Sequence, residues 1–265
     1  MPFDVDGVNK SARKVRRFLR KNPRRPTSKA IHKVRTSTRS LETTFATLGL
    51  DDKPSIKRLM RDLGKVRKRA GKVRDMDVLT EDAMAIQLKG EEDCIVRLLE
   101  YLGKERSKYA KKLRREIEDD DPRLQRTLKR YSRKLERLLE QDGKNPNSNA
   151  MPTTLAKTKK LSTELKRPAR LTRGNLHEYR LKVKELRDVL LLSEQNGNPA
   201  FLEKLTEVKD AIGEWHDWEE LIGIAGKLLD HGDSCELLKH LRTTGASKYA
   251  HAIDLSHDLR KVFLQ

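Results

Sequence analysis

An all-α fold is what the sequence predicts, from three observations. Apolar residues recur at helical spacing in almost every segment, strand-like alternation of β-branched residues is nearly absent, and the breaks fall at residues with physical reasons to end or start a helix. The expected helices cover 8–21, 28–48, 55–73, 76–89, 91–118, 122–141, 153–167, 174–194, 199–214, 217–230, 233–243 and 246–262. Pro23 and Pro26 separate the first two. The second carries the stripe Ile31, Val34, Leu41, Phe45 and Leu48, and the third the stripe Leu59, Leu63, Val66, Ala70 and Val73. Asp121-Pro122 reads as an N-cap followed by proline in the first turn, which starts a new helix at 122. The polar stretch Gln141 to Pro152, QDGKNPNSNAMP, reads as a linker dividing the chain into halves near 1–148 and 149–265. Beyond it, Asn196-Gly197-Asn198-Pro199 is a strong stop.

Lysine and arginine number 59 against 40 acidic residues, a net charge of +19. Such an excess attracts polyanions before any specific contact forms. It is uneven: residues 1–150 hold 40 basic and 23 acidic side chains, residues 151–265 hold 19 and 17, so the first part dominates long-range steering. Aromatic residues make up 5% of the chain, with no run of alternating basic and aromatic positions. That argues against a base-stacking platform for single-stranded nucleic acid and directs the charge to phosphates. No apolar run approaches the roughly 20 residues of a membrane span, and the first residues lack the apolar core of a signal peptide. Cys94 and Cys235 sit in dissimilar contexts and form no C-x-x-C. The expectation is a soluble cytoplasmic protein without a disulfide.

The halves read as diverged copies. His32, Arg35, Arg39 and Leu41 align with His177, Arg180, Lys184 and Leu186 at an offset of 145. A second block, from Leu63 through Arg67, Gly71, Arg74, Asp75 and Asp77 to Leu79, aligns at 142 with Leu205, Lys209, Gly213, His216, Asp217, Glu219 and Leu221. Two blocks in the same order with so little drift suggest internal duplication and a pseudo-two-fold arrangement.

At about 100° per residue, His32, Arg35 and Arg39 fall within an arc of roughly 60°, beside the apolar stripe of their helix. His177, Arg180, Lys184 and Arg187 take the matching side of the later helix, beside Leu176, Tyr179, Val183, Leu186 and Leu190. From His32 to Arg39 a helix rises about 10 Å, so the cations form a row that suits an extended anion. In the second block Lys65, Lys68 and Lys72 point away from the stripe, to solvent. Arg67 and Arg74, like Lys209 and His216, flank it and can reach inward. The acidic pairs Asp75 with Asp77 and Asp217 with Glu219 are read as helix caps or as partners that orient arginines, rather than as catalytic groups. Neither histidine helix has a second metal-ligating residue at i+3 or i+4 on that face, so no metal site is expected.

With these motifs in hand, the chain resembles the conserved-histidine α-helical domain family, CHAD. The resemblance rests on HKVRTSTRSLE from His32, HEYRLKVKELR from His177, GKVRDMDVL from Gly71 and GEWHDWEEL from Gly213, in that order, and spans roughly residues 8–260. One departure is Glu42, where the later copy has Arg187. The resemblance implies a single domain over 1–265: two similar helical bundles around a basic central groove or pore that binds inorganic polyphosphate. The residues it implies as binding are His32, Arg35, Arg39, Arg67, Arg74, His177, Arg180, Lys184, Arg187, Lys209 and His216. Phosphate or sulfate would stand in for the ligand, and no cofactor is expected. Family members occur with polyphosphate-metabolising proteins or at storage granules. Protonation of His32 and His177 would tighten binding as pH falls toward about 6.

Catalysis is not expected. The E-x-E-x-K signature of a triphosphate tunnel domain is absent, EIEDDDP from Glu116 lacks the lysine, and there is no G-x-x-x-x-G-K-[ST] loop. Without a metal clamp on the transferred phosphoryl group, hydrolysis has no machinery. Non-specific nucleic-acid binding, led by the basic segment Arg13 to Arg25, is the alternative. A metal-dependent phosphatase acting through Asp75 or Asp217 is the third.

Overall fold

The computed structural model describes residues 5–47, 53–142, 150–192, 198–229 and 235–264. Among them the protein is all-helical, in the order α1 (Val5–Lys21), α2 (Ser28–Thr47), α3 (Pro54–Met84), α4 (Glu92–Asp142), α5 (Ala150–Lys166), α6 (Arg173–Leu192), α7 (Pro199–Leu228) and α8 (Glu236–Phe263). None is long and apolar enough to cross a membrane. The expected linker at 141–152 is bounded by the end of α4 and the start of α5, and 143–149 lies outside the described residues.

Where helices begin, the local chemistry is plain. Thr27 Oγ1 accepts the Ala30 amide hydrogen at 3.2 Å ahead of α2. Asn198 Oδ1 accepts from Ala200 N at 3.1 Å with Pro199 in the first turn of α7. Each satisfies an amide that the helix itself leaves unpaired. After α1, Asn22 takes φ 32°, a left-handed conformation that asparagine tolerates. Its side-chain amide donates to the Arg114 carbonyl at 3.4 Å, closing the turn before Pro23.

Four expected breaks are absent. The helix expected to start at Pro122 is the continuation of α4. Proline there costs a backbone hydrogen bond, but Leu113, Ile117, Leu124, Leu128 and Tyr131 stay in one helical register across it and are all buried in one core. Packing of the stripe outweighs the local signal. The other three absent breaks lie near Gly71, Gly213 and Gly245, inside α3, α7 and α8. Gly245 is explained by close approach: a β-carbon there would sit 2.8 Å from Ile222 Cδ1.

The chain forms two compact units. One comprises 1–77, 104–154 and 192–194, the other 78–103, 155–191 and 195–265. They differ from contiguous halves at 1–148 and 149–265, because the end of α3 and the start of α4 belong with the C-terminal helices. The ties are specific: Arg97 donates to the Leu228 carbonyl at 3.4 Å, and Glu91 Oε1 accepts from Glu236 N at 3.2 Å. In the first unit α1 packs on α2, and the core includes Leu19, Ile31, Val34, Phe45, Leu63, Val66, Val73 and Leu113. In the second, α7 packs on α8 around Leu165, Leu176, Val183, Leu186, Leu205, Ile212, Trp215 and Leu259. The apolar stripes expected on α2, α3 and α6 are buried, apart from Leu48, which lies outside the described residues, and on α7 Leu205, Val208, Ile212 and Trp215 are buried likewise.

Cys94 and Cys235 are free thiols, both buried, and lie with Glu91 in one cluster of the second unit, a proximity that their sequence contexts do not signal. Burial, followed by the hydrogen bond and negative charge of Glu91, pushes the Cys94 thiol up to about 11.

Because α4 runs unbroken through residue 122, Pro122→Ala restores an amide hydrogen that a helix interior uses. It is expected to raise stability by about 1–3 kcal/mol in urea denaturation. A helix starting at that proline would instead lose stability on the same substitution.

Candidate functional site

In the first unit, predicted cations converge from two helices. Burial of Ile31, Val34, Leu41 and Phe45 fixes the rotation of α2, leaving Arg35 and Arg39 half-buried at the core margin and His32 exposed. On α3, burial of Leu63, Val66, Ala70 and Val73 places Arg67 and Arg74 at the same kind of margin. The Arg35 guanidinium lies over Gly71, with Cζ 3.9 Å from where a β-carbon would be. It pairs with Asp75 at 3.5 Å.

Burial lowers the pKa of Arg35 from its ordinary value; Asp75 opposes this, and the charges of Arg67, Arg39 and Arg74 lower it further. Arginine stays protonated regardless. The shift records four like charges held close enough to feel one another in a partly dry setting. Partners steady two of them: Glu42 pairs with Arg67 at 2.9 Å, and Ser28 Oγ accepts from Arg74 at 2.8 Å. Glu42 is the position noted as departing from the family pattern. Its charge is spent on Arg67, so this end of the row is less cationic than its counterpart.

The second unit repeats the central contact with other details. Arg180 on α6 donates from Nε to the Lys209 carbonyl on α7 at 3.0 Å. Its guanidinium lies so close over Gly213 that an added β-carbon would be 2.7 Å from a terminal nitrogen. Arg35 on Gly71 and Arg180 on Gly213 are therefore the same aligned pair in contact in each unit. The pair 42 and 64 matches 187 and 206 likewise: Glu42 Oε1 lies 3.8 Å from a β-carbon built on Gly64, and Arg187 Nε donates to Thr206 Oγ1 at 2.7 Å. The rings of His177 and His216 are 5.0 Å apart. Lys209 Nζ meets Asp210 at 2.6 Å, and Lys184 is half-buried. Arg187 is held by Thr206 and, at 3.5 Å, by Asp188.

Of the acidic pairs, Asp75, Asp77 and Glu219 pair with arginines, one of the two roles expected of them. Besides Asp75 on Arg35, the buried Asp77 receives Arg106 Nε, while Arg106 Nη2 donates to the Pro26 carbonyl at 2.8 Å. Glu219 pairs with Arg173 at 3.1 Å, and Arg173 also lies over the Tyr249 ring. Sequence reasoning missed Ser28, Arg106 and Arg173. Ser28 and Arg173 had a usable signal, since they align with each other at the offset of 145; Arg106 lies in no motif. Lys72, assigned to the outer face, is exposed but reaches Asp75 at 3.8 Å. On α4, Lys104, Lys108, Lys111, Lys112 and Arg115 border an open surface cavity of about 750 Å³ that no motif marked.

The two glycines should respond differently to alanine. At Gly71 the added methyl meets only ordinary contact, so Gly71→Ala is expected to stabilise α3 by about 0.5–1 kcal/mol. At Gly213 the methyl displaces the Arg180 guanidinium. The lost hydrogen bond, about 1 kcal/mol, cancels the propensity gain, so urea denaturation should show little net change.

No curated protein sequence matches the chain. Two solved structures are similar. The CHAD domain from the plant Ricinus communis has a TM-score of 0.64 at 15% identity, covering 96% of this chain and 88% of that one. PptA from Streptomyces chartreusis has a TM-score of 0.67 at 13% identity, covering 100% of both chains. At these identities the likeness is one of fold. The family model for the CHAD domain matches residues 11–225, which takes in both histidine helices, both glycine-containing segments and the arginines packed against them. The chain belongs to the CHAD domain family.

Proposed function

We propose that this protein binds inorganic polyphosphate, without reacting with it, through the arginine clusters of its two units. The observation that carries the reading is the half-buried Arg35, held among Arg39, Arg67 and Arg74 with only partial compensation from Asp75. Cations kept together at a dry margin repel one another, and an anion entering among them gains more than it would from the same charges in water. Arg180, anchored to the Lys209 carbonyl, offers the matching group in the second unit.

Membership of the CHAD family supports polyphosphate over other polyanions, and the chemistry agrees. Polyphosphate repeats its charge along a flexible chain and has no bases to read, so rows of guanidinium and ammonium groups suffice. The carboxylates beside the clusters are engaged with arginines, which leaves Asp75, Asp77 and Glu219 in orienting roles and favours binding over hydrolysis.

Calorimetric titration with long-chain polyphosphate at physiological salt, beside duplex DNA at equal total phosphate, tests the reading. Tight binding selective for polyphosphate is expected. The Arg35/Arg39/Arg180/Lys184 quadruple alanine variant should lose at least about 100-fold in affinity, whereas Lys65→Ala with Lys68→Ala on the exposed face should change it less than about threefold. Gly213→Ala should weaken binding and Gly71→Ala should not. Equal affinity for DNA, or an unaffected quadruple variant, would make the protein a general polyanion binder.

The histidines supply a second check. The His32→Gln/His177→Gln variant is expected to bind polyphosphate more weakly in calorimetric titration at fixed ionic strength, since each substitution removes an imidazole donor from its row of cations.

A further inference from the structure

The second unit contains a cluster that the polyphosphate reading does not use. Glu91, Cys94 and Cys235 each present one donor atom, and the three atoms lie within 4.8 Å of one another. We propose that they form a binding site for a thiophilic divalent cation of the zinc class, with two thiolates and one carboxylate as ligands and a fourth position left to water or another small ligand.

The geometry is built rather than incidental. Cys94 and Cys235 are 7% and 2% exposed, and Glu91 is half-buried. Glu91 precedes α4 and its carbonyl accepts from Ile95 N at 3.0 Å, so Glu91 and Cys94, three residues apart, face the same way at the start of that helix. Cys235 is the N-cap of α8, yet its sulfur makes no capping bond to the helix. It donates instead to Glu91 Oε2 at 3.8 Å, while Glu91 Oε1 is fixed by the Glu236 amide at 3.2 Å. A tetrahedral ion with metal–sulfur and metal–oxygen bonds of about 2.3 and 2.0 Å sets sulfur and oxygen about 3.5 Å apart. The observed separation needs only a small contraction.

Two helix termini offset part of the cost that burial places on ionised sulfur. The amino ends of α4 and α8 meet at the cluster, and each carries partial positive charge. Two soft thiolates with one carboxylate select zinc-class ions over magnesium or calcium, which prefer all-oxygen sites. On binding, the ion takes the place of the two thiol protons, which pass to solvent, and no redox partner is involved. The Glu236 amide and the Cys235 thiol hold the Glu91 carboxylate turned toward the sulfurs, where it supplies the third ligand.

The test uses the full chain, reduced and stripped with a chelator, without polyphosphate, titrated with Co²⁺ and then Zn²⁺. One equivalent of Co²⁺ should give a thiolate-to-metal charge-transfer band that Zn²⁺ abolishes. Cys94→Ser or Cys235→Ser should lower affinity at least about 100-fold, and Glu91→Gln about 10- to 100-fold. In the unsubstituted protein one equivalent of Zn²⁺ should protect both thiols from a thiol reagent, a readout independent of how the variants fold. Absence of a stoichiometric band, no protection, a band that survives both cysteine substitutions, or the two cysteines joined as a disulfide in freshly isolated protein would each overturn the site. Glu91→Gln should leave polyphosphate affinity unchanged, so this proposal and the polyphosphate reading fail separately.

Discussion

A guanidinium at the edge of an apolar core is tolerable only when something fixes its direction, and both units of this protein do so by laying an arginine from one helix over a glycine of the next. Arg35 over Gly71 and Arg180 over Gly213 let α2 approach α3, and α6 approach α7, with a charged group between them. At Gly213 the missing β-carbon leaves room for the Arg180 guanidinium, whereas at Gly71 a β-carbon would make only ordinary contact with Arg35. Anchors then differ: Asp75 takes Arg35, and the Lys209 carbonyl takes Arg180. Each helix must keep its apolar stripe buried to hold this register, so core packing and cation placement are one constraint.

Much of this was legible from periodicity. The stripes on α2, α3 and α6 follow residue by residue, because a 3.6-residue repeat fixes which face is buried and hence which cations border it. The offsets of 145 and 142 paired positions that turn out to share contacts in each unit. What periodicity alone left open was the cause of the glycines. A glycine in a helical pattern reads as a weak point, and Gly71, Gly213 and Gly245 each lay beside an expected break. At Gly213 and Gly245 the reasons are partners 33 and 23 residues distant, Arg180 and Ile222, whereas the nearest neighbour of a β-carbon on Gly71, Arg35, lies at an ordinary 3.9 Å. Pro122 misled for the opposite reason: its local preference is strong, but the stripe from Leu113 to Tyr131 is stronger. The meeting of Cys94 with Cys235 was illegible because nothing local links residues so far apart in sequence.

Oriented arginines also explain the carboxylates. Asp75, Asp77 and Glu219 recur near the histidine helices because unpaired guanidinium groups at a core margin would be free to swing away. Their negative charge weakens the local field and fixes the guanidinium groups in direction, which suits the pre-organisation that the proposed function calls for. Glu42 on Arg67 in the first unit, where the second has Arg187, makes the two clusters unequal in charge although they share a framework.

The central claim is that direction, and not charge alone, makes these arginines a site. The most direct test is the salt dependence of polyphosphate affinity for the protein and for its Arg35→Lys/Arg180→Lys variant, which keeps the charge but lacks the planar fork. The account predicts that the variant binds on the order of tenfold more weakly at every salt concentration, with an unchanged slope of log affinity against log salt. Equal affinity in the two proteins would contradict it and reduce both clusters to positive charge near a surface.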